Sequence, residues 1–414
     1  MTACGSLAVP PATPTASGPV NRGPEGTVLA WGLNDRGNLG IGSRSGPQTC
    51  GMDAVPCATH PTPVVGPTHV TSIAAGGYYA MALDADGNVL AWGDNQYGEL
   101  GNGTTDDQAV PTRVSGLAGV TAIAAAPADE LGSEHSLALE SNGTVWAWGD
   151  NLFGEVGDGS TTERNSPVQV HGLSDVTAIA AGGEFSLALK GDGSIWAWGD
   201  NREGKLGIGI DNSPRGCAVE GGRESYPCAT TPVRILALAG VVALAAGATH
   251  SLAVRGDGGV WAWGDSTHGE LGVGDAANAG GVDACCDVPT RVPGLPAVTA
   301  VAAGDFSSLA LTARGTVLSW GDNSTGELGD GTTTERDTPV LIPGLTDVRA
   351  ISMGSSQSLA LVSAGTVVGW GDNSEGQLGD GTSTERETPF PVPGLSGVTA
   401  VATALEYSLA LRVN

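Results

Sequence analysis

The dipeptide Trp-Gly occurs seven times along the chain, at Trp31-Gly32, Trp92-Gly93, Trp148-Gly149, Trp198-Gly199, Trp263-Gly264, Trp320-Gly321 and Trp370-Gly371. Each copy closes a short apolar run such as VLAWG or VWAWG. The copies recur at roughly 50 to 65 residues, a period that marks a repeat architecture rather than a string of unlike elements. Three other signatures keep a fixed order with it. An Ala-rich run begins at Val70, Val120, Val176, Val241, Val298, Val348 and Val398. An SLAL-like run follows, ending at Leu83, Leu139, Leu189, Val254, Leu311, Leu361 and Leu411. A Pro-led run begins at Pro61, Pro111, Pro167, Pro232, Pro289, Pro339 and Pro389.

These runs are short, alternating or β-branched, and bounded by Gly, Asn and Asp, as strands are. Helical periodicity is absent. Four strand signals repeated seven times predict an all-β chain: a single seven-bladed β-propeller of four-stranded blades. Closure into a ring removes the exposed sheet edge. The chain enters with a Trp-Gly strand (Thr27 to Gly32) and a Pro-led strand, and ends with an Ala-rich and an SLAL strand (Val398 to Leu411). One blade must therefore be assembled from both ends, and the ring is closed by strands from both termini. Period-two alternation puts Trp146 with Trp148, and Trp196 with Trp198, on one face, with Ala147 and Ala197 opposite. Large against small suits stacked blades, so the tryptophans are expected in the core.

The motifs resemble the regulator of chromosome condensation repeat family. Gly143-Thr-Val-Trp-Ala-Trp-Gly-Asp-Asn-Leu-Phe-Gly-Glu-Val-Gly-Asp-Gly159 and Val176-Thr-Ala-Ile-Ala-Ala-Gly-Gly-Glu-Phe-Ser-Leu-Ala-Leu189 carry that resemblance, and it extends over about residues 26 to 414. It implies the seven-bladed fold. Function does not follow, because family members include a nucleotide-exchange factor for a small GTPase, ubiquitin-ligase modules, photoreceptor-associated proteins and a secreted bacterial inhibitor of β-lactamases.

Charge narrows the field. With 18 basic and 44 acidic residues the formal net charge is −26. Such a chain is repelled by phosphate backbones, which argues against nucleic-acid partners; the acidic surface either serves solubility or attracts a basic protein or peptide. No apolar run is long enough for a membrane-spanning helix. Residues 1–25 are Pro-, Ala- and Ser-rich without strand signals and read as a flexible tether, leaving 26–414 for the propeller. Within the tether, Thr2-Ala3-Cys4-Gly5 resembles the lipidation site of bacterial lipoproteins, although Met1 stands where that pattern has Leu. The expectations are a monomer and, at Cys4, either a lipid anchor or an ordinary free thiol.

The other six cysteines cluster. Between Trp-Gly and the Pro-led strand four loops have one common length: Gly93 to Pro111, Gly149 to Pro167, Gly321 to Pro339 and Gly371 to Pro389. Three are longer: Gly32 to Pro61, Gly199 to Pro232 and Gly264 to Pro289. All six cysteines lie in these insertions, as Cys50 with Cys57, Cys217 with Cys228, and Cys285 with Cys286. One pair per loop reads as a local disulfide staple and implies an oxidising, extracytoplasmic compartment. Adjacent Cys285 and Cys286 could instead bridge to a neighbouring loop. A zinc site from Cys217, Cys228, Cys285 and Cys286 is the alternative, although the spacing is not that of a zinc ribbon.

Strands running alternately up and down put these insertions, and the links between Ala-rich and SLAL strands, on one face. A further insertion, Pro127 to Gly132, falls there too. The opposite face carries uniform Asp-Gly and Asn-Gly hairpins. Residues on the variable face differ from repeat to repeat and make the candidate partner-binding set: Tyr78, Tyr79, Tyr97, His135, Phe153, Glu184, Phe185, His250, Asp305, Phe306, Gln357, Glu406 and Tyr407. Aromatics interleaved with carboxylates suit a basic loop or peptide. The Asp residues after Trp-Gly are expected to cap their own turns. The six histidines make no HExxH pattern, and there is no nucleophile elbow, phosphate loop or EF-hand. No metal, cofactor or catalytic residue is expected. The reading is an extracytoplasmic binding scaffold; the alternatives are a GTPase regulator, or a small-molecule, carbohydrate or enzymatic site at the axis.

Overall fold

The computed structural model describes residues 26–127, 134–218, 225–274 and 287–413. They form seven antiparallel sheets. The Ala-rich strands are the innermost: Val70–Ala75, Val120–Ala125, Val176–Gly182, Val241–Ala246, Val298–Ala303, Val348–Met353 and Val398–Thr403. Each touches the next, and the last touches the first, so the sheets close a ring. Alanine suits this position because seven strands crowd the axis. Residues at the ends of these strands, Ala75, Ala125, Ala181, Ala246, Ala303, Met353 and Thr403, gather around the axial mouth.

Within a blade the order from axis to rim follows the chain. Val120–Ala125 pairs with His135–Glu140, then Val145–Gly149, then Arg164–Gln169. The closing blade is assembled as expected. Gly26–Leu33 pairs along its length with Tyr407–Val413, from Gly26 opposite Val413 to Gly32 opposite Tyr407.

Blades are joined by the Trp-Gly tryptophans. All seven indoles are fully buried. Each donates its Nε1–H to a backbone carbonyl in the preceding blade, at 2.7–2.9 Å: Trp31 to Gln377, Trp92 to Asn38, Trp148 to Glu99, Trp198 to Glu155, Trp263 to Lys205, Trp320 to Glu270 and Trp370 to Glu327. Trp146, Trp196 and Trp261, on the same strands, are only half-buried. The glycine after each tryptophan is dictated by geometry. Gly149 has φ +105°, and a Cβ there would stand 2.6 Å from the Glu134 carbonyl oxygen and 2.8 Å from Cα of His135.

Two sheets carry a fifth strand that the repeat pattern did not predict. Gln48–Cys50 adds to Val55–Pro63, and Arg215–Ala218 adds to Ser225–Arg234. Two of the inserted loops are therefore hairpins on the blade rim, and disulfides Cys50–Cys57 and Cys217–Cys228 clip them. The second pairing removes the zinc alternative. Cys285, Cys286, Cys4, the tether and residues 128–133 lie outside the described residues.

A disulfide closing so short a loop contributes about 2–3 kcal/mol by restricting the open state. Changing Cys50 and Cys57 together to serine is expected to speed amide exchange over residues 47–57 while leaving the ring's thermal midpoint nearly unmoved. Unchanged exchange would show that the hairpin is held by its strand pairing alone.

Candidate protein-binding face

Both clipped hairpins leave their blades at the end where the inner strands turn back. The opposite end holds short turns such as Asp84–Asn88 and Glu140–Thr144, closed by their own hydrogen bonds. The irregular connections among the described residues thus share one face.

The structure divides the candidate residues on it. Tyr79, His135, Phe185, His250, Gln357 and Tyr407 are buried to 1% exposure or less and do not form a recognition ring. Each opens the second strand of its blade and packs toward the next one. The Tyr79 hydroxyl donates to the His135 carbonyl at 2.6 Å, and the Tyr407 hydroxyl donates to the Tyr79 carbonyl. His135 Nε2 meets Ser186 Oγ at 2.7 Å, and His250 Nε2 meets Ser308 Oγ at 2.8 Å. Both serine hydroxyls donate onward to the Glu155 and Glu270 carbonyls, so the imidazoles donate through Nε2. Burial lowers His135 to about 3 and His250 to about 4, which keeps both neutral. Gln357 donates to the Ala404 carbonyl at 2.9 Å. These residues vary because each makes its own joint with a different neighbour.

Phe153 and Glu184 are also interior. Phe153 is the seat of the second hairpin, packed with Cys217, Cys228 and Tyr226. Glu184 is bridged by two cations: Lys205 Nζ at 3.3 Å and the Arg202 guanidinium. Arg202 also binds Asp200 and lies 4.4 Å from the Phe153 ring centroid. This buried charge cluster was not anticipated. Its only local sign is a lysine at position 205, where four other blades carry glutamate.

Tyr78, Tyr97, Asp305, Phe306 and Glu406 remain partly accessible. Phe306 leans on the His268 ring, with centroids 5.0 Å apart. Asp305 lines the axial mouth. Glu406 belongs to a carboxylate group that includes Glu375, Asp372 and Asp35. Burial and those three charges push it up to about 7. Glu375 is raised as well, by burial and then by Asp372, Asp53 and Asp35. Tyr78 is pushed to about 12 by burial, with Glu406 the first of the charges acting on it. The first hairpin reaches over this group. A Cβ on Gly51 would fall 2.2 Å from a Glu375 carboxylate oxygen. The next residue, Met52, is fully exposed. The hairpin tip and the carboxylates form one surface.

Behind this face lies a buried position that faces the Asp after Trp-Gly. Where it is Gln377, Nε2 donates to Asp372 at 2.7 Å; where it is Lys205, Nζ donates to Asp200 at 2.9 Å. In four blades the position is Glu99, Glu155, Glu270 or Glu327, opposite Asp94, Asp150, Asp265 or Asp322. In each, one glutamate oxygen accepts a backbone N–H two residues earlier, at 2.8–2.9 Å. Oε1 of Glu99, Glu155 and Glu270 is buried without a hydrogen-bond partner. Burial, reinforced by the facing aspartates, raises Glu99 and Glu270 to about 8, Glu327 to about 7, and Glu155 well above its ordinary value. The pattern of donors at the equivalent positions calls for a proton here, carried by the glutamate. The expected capping role of the aspartates is also present: Asp94, Asp150, Asp265 and Asp322 accept the next backbone N–H at 2.7–2.9 Å.

No helix of the described residues is long and apolar enough to cross a membrane. Comparison with known proteins agrees with the architecture. The family model "RCC1-like domain" matches residues 23–225, and the "Regulator of chromosome condensation (RCC1) repeat" matches 257–311, 314–361 and 364–411. The Arabidopsis thaliana ultraviolet-B receptor UVR8 is 30% identical over 75% of the chain, a match spanning 64% of that receptor. The mouse E3 ubiquitin-protein ligase HERC2 is 31% identical over 75% of the chain, but this covers only 5% of its own length. Among solved structures, human WBSCR16 superposes with a TM-score of 0.78 at 24% identity, covering 94% of this chain and 99% of that one. Yeast Prp20p, described with its binding to Gsp1p and histones, superposes at 0.75 and 21% identity, covering 95% and 92%. At those identities the superpositions speak for the fold. The chain is a seven-bladed propeller built of RCC1-like repeats, and it belongs to that repeat family.

Proposed function

We propose that the chain is a non-enzymatic binding scaffold that works outside the cytoplasm and grips a basic protein or peptide with its insertion-bearing face. The observation that carries this reading is the first hairpin: a disulfide-clipped arm that presents an exposed Met52 beside Asp53, Glu375, Asp372, Asp35 and Glu406. A rigid apolar tip rimmed by carboxylates gives an anchor and an electrostatic match in one surface. The net charge of −26 strengthens long-range attraction of a cationic partner. The two disulfides favour an oxidising compartment. The segment around Cys4 fits a bacterial surface lipoprotein acting as a monomer, with a mode of use akin to the secreted β-lactamase inhibitor. Nucleotide-exchange-like regulation of a small GTPase is the second reading, supported by the fold shared with Prp20p; thiols held reduced in the native protein would favour it.

The test is capture of the native partner by the full chain. The double variant Met52→Asp/Glu375→Lys is expected to weaken capture by at least about thirtyfold, the loss of roughly 2 kcal/mol typical of a hot spot. Asp192→Lys, on the opposite face, should leave it intact. Binding should also weaken with added salt. Equal capture by wild type and the double variant would overturn the assignment.

A further inference from the structure

The axial mouth of the insertion-bearing face has an asymmetry that the repeats do not explain. Its cavity, about 90 Å³, is walled by the small residues that end the inner strands. One step outward, the equivalent positions hold Gly77, Pro127, Gly183, Ala248, Ser355 and Leu405, and in the remaining blade Asp305. Asp305 is the one charged residue lining the cavity among the described residues. Its loop is held by the preceding blade. Thr249 Oγ1 donates to the Asp305 carbonyl at 3.2 Å, and the Ala248 N–H donates to Gly304 O at 3.3 Å. The Ser355 side chain hydrogen-bonds the Asp305 carboxyl, yet burial outweighs it and holds the group up at about 6. Among the described residues no basic side chain lines the cavity to neutralise it.

We propose that this mouth is a receptor for a primary ammonium group with Asp305 as its counter-ion, and that its natural occupant is a lysine side chain of the partner held by the same face. The partner clause rests on the function proposed above; the ammonium site does not. A lysine fits the chemistry of the walls. Its methylene stem runs along alanine and methionine surface while the compact charge reaches a single carboxylate. A guanidinium presents a planar fork of five donors, and one carboxylate already engaged by a serine leaves most of them unmet. A desolvated carboxylate gains most from a cation that is itself stripped of water on entry.

The probe is n-butylammonium, which is the end of a lysine side chain, with 1-butanol as its uncharged counterpart. Saturation-transfer NMR on the full chain at pH 7.5 is expected to show butylammonium binding that 1-butanol lacks. Asp305→Asn should abolish it without moving the thermal transition. Asp192→Asn, which removes a charge from the opposite face, should leave it. At pH 5 the affinity should fall about tenfold, as a carboxyl with a pKa near 6 becomes protonated. Equal binding by Asp305→Asn, or equal signal from 1-butanol, would overturn the site. The Met52→Asp/Glu375→Lys variant separates the two proposals. If it still captures the partner while butylammonium binding still requires Asp305, the face assignment falls and the ammonium site stands. If capture is lost while butylammonium ignores Asp305, the site falls alone.

Discussion

Deletion of residues 398–413 is expected to abolish the cooperative unfolding transition of the whole propeller rather than fray one blade. Those residues supply both inner strands of the closing blade. Without them Gly26–Leu33 loses its partner along its full length. The deletion also empties two inter-blade cores. Tyr407, Leu409 and Leu411 pack with Val70, Ala80 and Trp92 on one side, and Val398 and Ala410 pack with Trp31 and Leu359 on the other. Each large side chain contributes about 1.5–3 kcal/mol by burial, and a native domain has only about 5–15 kcal/mol in all. The loss exceeds what the remaining blades can absorb. Calorimetry should find no cooperative endotherm. A milder variant, Tyr407→Ala, removes a fully buried ring and its bond to the Tyr79 carbonyl. It should lower stability by about 3–5 kcal/mol. A shortened chain that still melts in one sharp transition would mean that six blades are self-sufficient and that closure is not what holds the ring.

Glu99→Gln is expected to stabilise the protein at alkaline pH while changing little at pH 5. Glu99 titrates near 8 in the folded chain, raised by burial and by the Asp94 and Asp107 charges. When unfolded it titrates near its ordinary value of 4.5. Between those values the unfolded chain has released a proton that the folded chain retains. Folding is therefore fully favoured below about pH 4.5, and the advantage is lost as pH rises through about 8. Glutamine needs no proton. It can accept the Tyr97 N–H and donate to Asp94, as Gln377 does for Glu375 N–H and Asp372. The gain over wild type should grow from under about 1 kcal/mol at pH 5 to roughly 4 kcal/mol at pH 8 and above. Glu270→Gln should behave alike. Denaturation at a series of pH values gives the answer, and a difference that does not change with pH would mean that Glu99 is ionised in the folded protein.

The ring was legible because its determinants repeat. Every Trp-Gly glycine needs a positive φ, and every Trp indole finds a carbonyl of the preceding blade, so the same pair recurs seven times. The shared face of the two described hairpins followed from strand direction alone. The exposure of the candidate residues was read less well, for a physical reason. Variation at one repeat position signals a partner surface or a set of unlike joints between blades, and Tyr79, His135, Phe185 and Tyr407 are joints. The clue was present: each opens a strand buried on both faces, so its side chain turns inward with the rest. Phe153 had no such clue, because what covers it is the Cys217–Cys228 hairpin, distant in sequence. Met52 was missed although it stands between Cys50 and Cys57, since nothing local distinguishes a tip that points outward from one that folds back.

Hydrogen–deuterium exchange of the full chain with and without its captured partner tests the central claim most directly. The account predicts protection in the loops around Asp35, Met52, Tyr78, Glu375 and Glu406, with the turns at Asp86-Gly87, Asn142-Gly143, Asp192-Gly193 and Asp257-Gly258 unchanged. Protection confined to those plain turns, with the hairpin tip exchanging as freely as before, would contradict it.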